Sequence, residues 1–276
     1  MAVSQRRLNV EVEGDRLSRA YLFPTVASLV ALLFLAAPWS LEHKAHVALH
    51  GLCAQRPSHS FVLGANRLPF DARMTGIYGG FLGASIYLGL RRRYRAAGLP
   101  SWPTIGILVL FVGLMGIDGF NSLFLDMGWR YFYEPDNRLR LLTGSMTGVA
   151  LAAAIFMLIG MALWTRPRLD QRVVLGVWEA VLLLALQVPF GLAVLSGWSW
   201  LFVPITLALL VTATAVVSAM MLVVLVMAKT ADNSFETVKQ VEGYAVVALL
   251  AGVAVMAAFG GGRFLLESLT RAPPLT

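Results

Sequence analysis

All four histidines of the chain, His43, His46, His50 and His59, fall within seventeen positions of one another, and the lone cysteine, Cys53, lies among them. If 43–53 is helical, spacings of three, four and three put His43, His46, His50 and Cys53 within about 80° of arc, at roughly 100° per residue. Ala45, Ala48 and Leu52 take the opposite side. Imidazole and thiolate are the usual ligands of zinc and other transition metals, and side chains four apart on a helix can chelate one ion. His43, His46, His50, Cys53 and His59, with Asp71 further on, are therefore candidate metal ligands. An interfacial helix with a polar stripe making ordinary hydrogen bonds accounts for the same pattern, and no zinc signature is matched.

Asp118 is the second candidate. It sits in Gly116-Ile117-Asp118-Gly119, well inside an apolar run. A carboxylate at bilayer depth costs about 2.5–3.5 kcal/mol on insertion scales, so such groups pair or line a wet cavity. Arg140 and Arg73, each at the end of a neighbouring apolar run, are its expected partners, giving either a structural clamp or a ligand or proton site. Asn137, Gln55 and Arg56 complete the polar set expected around it. Glu179 is expected to pair with Gln187 or a hydroxyl. No Gly-Lys-Ser/Thr phosphate loop, no His-Glu-x-x-His zinc helix and no Gly-x-Ser-x-Gly elbow occurs, so no catalytic motif points to an enzyme.

Two stretches carry a resemblance: Cys53-Ala54-Gln55-Arg56-Pro57-Ser58-His59-Ser60-Phe61, and Asp71-Ala72-Arg73-Met74-Thr75-Gly76-Ile77-Tyr78 opening a glycine-rich run. With Asp118-Gly119 and Asn137-Arg138-Leu139-Arg140-Leu141-Leu142-Thr143-Gly144, they resemble, over about residues 46–150, the uncharacterised polytopic membrane proteins grouped as domain of unknown function 2085. The family pattern has His where this chain has Ala54, and cysteines where it has Asp71 and Met74. A Cys/His site implied by the resemblance would keep one ligand of four here. His43, His46, His50, His59 and Asp71 would have to rebuild it, or it is lost. The resemblance implies no activity.

The elements that must position these groups are membrane spans. Hydrophobic residues make up 58% of the 276-residue chain and charged residues 13%, against about 25% charged in soluble domains. Seven runs approach the roughly 20 apolar residues a span needs: Ala20–Leu41, Met74–Leu90, Thr104–Met127, Leu141–Trp164, Val173–Leu195, Leu201–Ala228 and Tyr244–Leu266. In lipid these must be helices, so the expected fold is all-α: a polytopic transmembrane bundle forming one integral membrane domain over 1–276, with a motif-bearing part (43–150) and a plain part (173–270). Arg6, Arg7, Arg16 and Arg19 precede a first run too long for a cleavable signal.

The clusters Arg91–Arg95 and Arg166–Arg172 are expected in the cytoplasm with the N-terminus and the Lys229–Lys239 loop, which puts the C-terminus and the histidine segment outside. Trp39, Trp102, Trp129, Trp164, Trp198 and Trp200 fall at span ends as an aromatic belt. Gly76, Gly80, Gly83, Gly113, Gly116, Gly119, Gly144 and Gly148 are expected to pack helices closely. The net charge of +7 is explained by these orienting loops and not by nucleic acid. The expected setting is the lipid bilayer of a prokaryotic cytoplasmic membrane. Three functions remain open: binding of a metal ion such as zinc or of a small polar ligand in an outward pocket; a non-catalytic subunit among partner membrane subunits or in a homo-oligomer; and an enzyme or transporter using an intramembrane Asp/Arg pair.

Overall fold

The computed structural model describes residues 21–229 and 231–270. Arg6, Arg7, Arg16, Arg19 and both chain termini, whose sidedness was inferred above, lie outside the described residues. Helix accounts for 73% of the structure. The helices are α1 (Leu22–Ala36), α2 (Leu41–Leu49), α3 (Ala72–Leu90), α4 (Trp102–Asp126), α5 (Asn137–Leu163), α6 (Val177–Ala185), α7 (Val188–Leu195), α8 (Phe202–Ala228) and α9 (Val238–Thr270). Each of the seven apolar runs contains helix, although 37–40 and 173–176 are not helical. Among the described residues, five helical stretches suffice by length and hydropathy to cross a membrane: α4, α5, α6 with α7, α8 with its preceding turn, and α9.

The two that fall short do so for different reasons. α1 has 15 residues, about 23 Å, less than the roughly 30 Å of hydrocarbon. α3 is long enough at 19 residues but is diluted by Gly, Thr and Ser, and it buries Thr75, Gly76, Gly79, Gly80, Phe81, Ala84 and Leu88. A helix surrounded by protein has no need of a lipid-compatible face. α3 and α5 together form the centre of the bundle.

The closest neighbour of α3 is α5. A Cβ at Gly76 or Gly80 would strike the backbone of Leu141 or Ser145, and one at Gly144 or Gly148 would strike the carbonyl of Arg73 or Ile77. The two backbones therefore touch along four glycines, as small residues four apart allow. Gly83 takes the Gln187 side chain and Gly79 the Phe190 ring. The expectation fails in α4: Gly113 and Gly116 face nothing within 4 Å, and Gly119 meets only the Arg73 guanidinium. Spacing alone does not say which helices have a partner. The run Val177–Leu195 is interrupted at Leu186–Gln187, where Pro189 cannot donate to a preceding carbonyl.

The all-α expectation also needs correcting at both ends of the bundle. β1 (Ser60–Leu63) and β2 (Asn66–Asp71) form an antiparallel hairpin, with Ser60 opposite Asp71 and Leu63, Leu68 and Phe70 fully buried beneath it. β3 (Ala96–Gly98) and β4 (Arg168–Arg172) pair in parallel and tie the two arginine-rich loops together. The hairpin end gathers α2, β1–β2, residues 127–136 and residues 196–201, where the Gly64 amide donates to the Gly197 carbonyl (2.9 Å). The loop end gathers 91–101, 164–176 and 231–237. There Trp164 Nε1 donates to the Tyr94 carbonyl (2.6 Å) and the Asn233 amide to the Ala162 carbonyl (2.9 Å). Trp164 is 3% exposed: it is a core residue of the loop end, not a member of a lipid-facing belt. Glu179 is reached by the Tyr87 hydroxyl (3.0 Å), while Gln187 turns back to the Leu183 carbonyl (2.8 Å).

Candidate functional site

The hairpin delivers the chain into α3. Asp71 closes β2 and caps the helix, its Oδ1 accepting from the Met74 amide (2.8 Å), the favoured use of Asp at a helix start. Arg73 thus lies in the first turn and faces α4, where its Nη2 donates to Asp118 Oδ2 at 2.6 Å. Asp118 is 1% exposed and stands eight residues before the end of α4, about 12 Å down from it. Its second oxygen accepts from the Tyr133 hydroxyl (3.0 Å). Of the two expected partners, Arg73 makes the direct ion pair.

Residues that sequence reasoning passed over brace this pair. Asn121 Oδ1 accepts from the Phe132 amide (2.7 Å) and its Nδ2 donates to the Tyr133 carbonyl (2.8 Å), pinning the 127–136 loop so that Tyr133 reaches inward. Burial, then the Asp118 carboxylate, pushes the Tyr133 phenol up to about 12, so it remains a donor. Ser122 Oγ donates to the Asp118 carbonyl (2.9 Å) and lies 3.4 Å from both Arg73 Nη2 and Arg140 Nη2. Asn121 and Ser122 follow Asp118 by three and four residues, which puts all three on one helix face. That spacing was the available signal. Tyr133, in a loop, offered none.

Arg140 enters from α5, whose first turn is capped by Asp136 Oδ1 accepting from the Arg138 amide (2.9 Å). Arg140 is 6% exposed. Its Nη1 donates to Asn137 Oδ1 (2.7 Å), and Asn137 Nδ2 donates to the Ser58 carbonyl (3.1 Å), joining α5 to the segment before β1. Among the described residues, no carboxylate pairs directly with Arg140. Asp118, Asp126 and Asp71 attract it only at longer range. Arg56 is taken by Asp126 in a close hydrogen-bonded ion pair. Burial, then the charge of Arg140, holds His59 below its usual range.

The His/Cys segment does not form the stripe that an unbroken helix would give. α2 ends at Leu49, because at Gly51 the chain crosses α9 so closely that a Cβ would meet the backbone at Phe259 and Gly260. His43 is exposed beside Trp39. His46 Nδ1 donates to the Glu42 carbonyl (2.8 Å), while Nε2 is buried without a partner, and burial lowers its pKa. His50 lies between Gln55 Oε1 and Glu267 Oε2, both at 3.0 Å, and stacks on Phe264. Gln55, in the left-handed region at φ 55, spends its Nε2 on the His46 and Pro69 carbonyls, both at 2.9 Å.

Cys53 Sγ accepts from the Gln55 and Asp71 amides at 3.3 and 3.4 Å, and burial, then the Asp71 charge, pushes its thiol up to about 12. The six expected ligands are thus spread over separate contacts, and among the described residues no three His, Cys, Asp or Glu side chains are grouped to hold one ion. Arg263, from the plain half of the chain, closes this segment by donating to the carbonyls of His50, Cys53 and Ala54.

Residues 53–156 match the model of a family described as predicted membrane protein, domain of unknown function 2085. The match takes in Arg73, Asp118, Tyr133, Asn137 and Arg140, the whole buried ion network, but neither the α2 histidines nor Arg263 and Glu267. With the apolar helices, it makes this a multi-pass membrane protein. No curated protein and no solved structure matches the chain.

Proposed function

We propose that this membrane protein crosses the bilayer seven times, faces its hairpin end outward, and binds there a small anionic ligand bearing a carboxylate or phosphate group beside Arg140. The observation that carries the reading is a charge imbalance. Arg73 and Arg140 are held together against one buried carboxylate, Asp118, which Arg73 and Tyr133 already occupy. Arg140 spends its hydrogen bonds on two neutral oxygens. A buried cation without a counter-charge is expensive, and a planar guanidinium is suited to two-pronged recognition of a carboxylate or phosphate. Asn137 and His59 would frame the ligand, and Arg56 would guard its approach. The seven-span reading is supported by the seven apolar runs: α3 is shielded by its neighbours, and α1, at 15 residues, crosses where the bilayer thins around it. The orientation follows from the arginines of the β3 and β4 loops, which lie together at the opposite end.

Orientation is tested by Ser58→Cys in a Cys53→Ser background, because Ser58 is exposed beside the hairpin. An impermeant maleimide is expected to label it in intact cells, and labelling only after permeabilisation overturns the assignment. The ligand is tested by thermal melting of purified protein in phosphate, sulfate, acetate, succinate or glycerol. A ligand that binds only the folded state raises the melting temperature. One of the anions, and not glycerol, is expected to do so in the natural chain but not in Arg140→Gln. The reading fails if no anion stabilises the natural chain at millimolar concentration, or if the variant responds equally.

A further inference from the structure

We propose that the opposite end of the bundle holds a second anion site, a cleft of about 570 Å³ between the α3–α4 connection and β4, which takes the phosphate of an anionic phospholipid headgroup. It is lined by Arg93, Arg168, Asp170, Gln171, Arg172 and Leu175. Three guanidinium groups line it with one carboxylate, Asp170, while Glu179 stands behind Arg93. The pairing of β3 with β4 builds the wall. Ala96 lies opposite Arg168 and Gly98 opposite Arg172, and the strands meet so closely at Gly98 that a Cβ would strike the Leu169 and Gln171 carbonyls. The arginines are therefore set on a fixed edge rather than on a free loop.

Arg93 makes this a built site. Its side chain is 5% exposed. Nη1 donates to the Arg172 carbonyl (2.7 Å), and Nη2 stands 3.9 Å from Glu179 Oε1. A guanidinium already removed from water and fixed in direction loses little on meeting a phosphate, and ordered positive charge in a partly enclosed cleft attracts anions more strongly than the same charge in solvent. Arg168 and Arg172 are exposed at the rim, Arg168 held among the described residues only by a long hydrogen bond to Gln171 Oε1 (3.4 Å), and both can close on the two unesterified oxygens of a phosphodiester. Gln171 donates beside them. Asp170 is placed for a headgroup hydroxyl or ammonium, as a glycerol or serine headgroup supplies and inorganic phosphate does not.

The surroundings favour a lipid as the source of the phosphate. Leu175 is both a lining residue and 51% exposed; Trp178, three residues on, is 84% exposed, Trp102 is 85% and Leu169 is 70%. Exposed tryptophan and leucine beside a basic cleft is the composition of a membrane interface, where acyl chains lie along the apolar surface and headgroups meet arginine.

The test uses the full chain in detergent with equal amounts of a phosphatidylglycerol and a phosphatidylcholine of the same acyl chains, with bound lipid counted by native mass spectrometry. The natural chain is expected to retain the glycerol lipid in excess. Arg168→Gln with Arg172→Gln is expected to reduce that excess on the order of tenfold. Arg130→Gln with Arg138→Gln, the same charge change at exposed positions of the hairpin end, is expected to preserve it. Equal retention of both lipids by the natural chain overturns the proposal, as does an excess that survives in the Arg168/Arg172 variant or falls equally in the control. A third arm adds inorganic phosphate in molar excess over lipid. If it strips the glycerol lipid completely, the site is a free-phosphate site and the lipid assignment is wrong. Arg140 is untouched throughout, so failure here leaves the hairpin-end reading standing.

Discussion

Both ends of the bundle are rich in arginine, and they handle it in opposite ways. At the hairpin end, Arg73 is drawn between helices to Asp118, and Arg56 and Arg263 are bound to Asp126 and Glu267, while Arg140, also drawn between helices, has no direct carboxylate partner among the described residues. At the loop end, Arg93 and Arg95 are hydrogen-bonded to the carbonyls of Arg172 and Glu236 (2.7 and 2.5 Å), with Glu179 a looser partner of Arg93 at 3.9 Å, while Arg168 and Arg172 stay in solvent. Carbonyls orient a cation without cancelling it. One end therefore uses charge to lock helices together, and the other displays it. Losing Asp118 should be ruinous at the first end, and losing the exposed Asp170 nearly silent at the second.

The largest expected effect lies there. Asp118→Ala leaves the half-buried Arg73 opposite Arg140 with no carboxylate between them, a loss of up to about 3–5 kcal/mol when one member of a buried pair is removed. Asp170→Ala, at an exposed position of the loop end, should stay within about 0.5 kcal/mol. Melting curves in one detergent compare the two. Combining Asp118→Ala with Arg73→Met should lose less than the sum of the single changes, because the orphaned charge goes with its partner. Equal melting of the two single variants would remove the distinction between the ends.

Much of this comparison could be read in the sequence, and the limits have physical causes. Apolar runs found the helices because hydrocarbon demands them, and the expense of a buried carboxylate singled out Asp118 and two candidate arginines. Choosing between those arginines required knowing that the glycines of α3 and α5 bring Arg73 and the start of α5 side by side, a fact of packing that no single helix carries. The same gap explains Gly113 and Gly116, whose spacing in α4 copies that of packed glycines although nothing packs on them. The histidine stripe failed at Gly51, the residue most able to end a helix. Glycine there was a visible stop signal, but what it makes room for, α9, lies more than two hundred residues away in sequence.

A smaller, graded effect tests whether the hairpin end is also where acid acts. All four histidines lie there and none at the loop end. His46 and His59, both outside the spans, have pKa values lowered by burial, with Arg140 adding to the shift at His59. A lowered value means that the folded state refuses a proton the unfolded chain accepts. Stability contributed by the neutral form is whole above about pH 6.5, the ordinary histidine value. It declines as pH falls below that and is gone once pH has passed the folded values. For His46 the cause is concrete: Nδ1–H is used on the Glu42 carbonyl, so a second proton would sit on the buried, unpartnered Nε2. Between pH 8 and pH 5 the melting temperature should fall by a few degrees. Amide exchange should quicken in α2 and the β1–β2 hairpin before it does in β3–β4. His46→Asn, which keeps a donor for Glu42, combined with His59→Asn, should flatten the dependence. A natural chain whose melting does not change over that range, or a double variant with the same slope, would show that the histidines are not what makes this end sensitive. Exchange that quickens at both ends together would show that acid does not distinguish them.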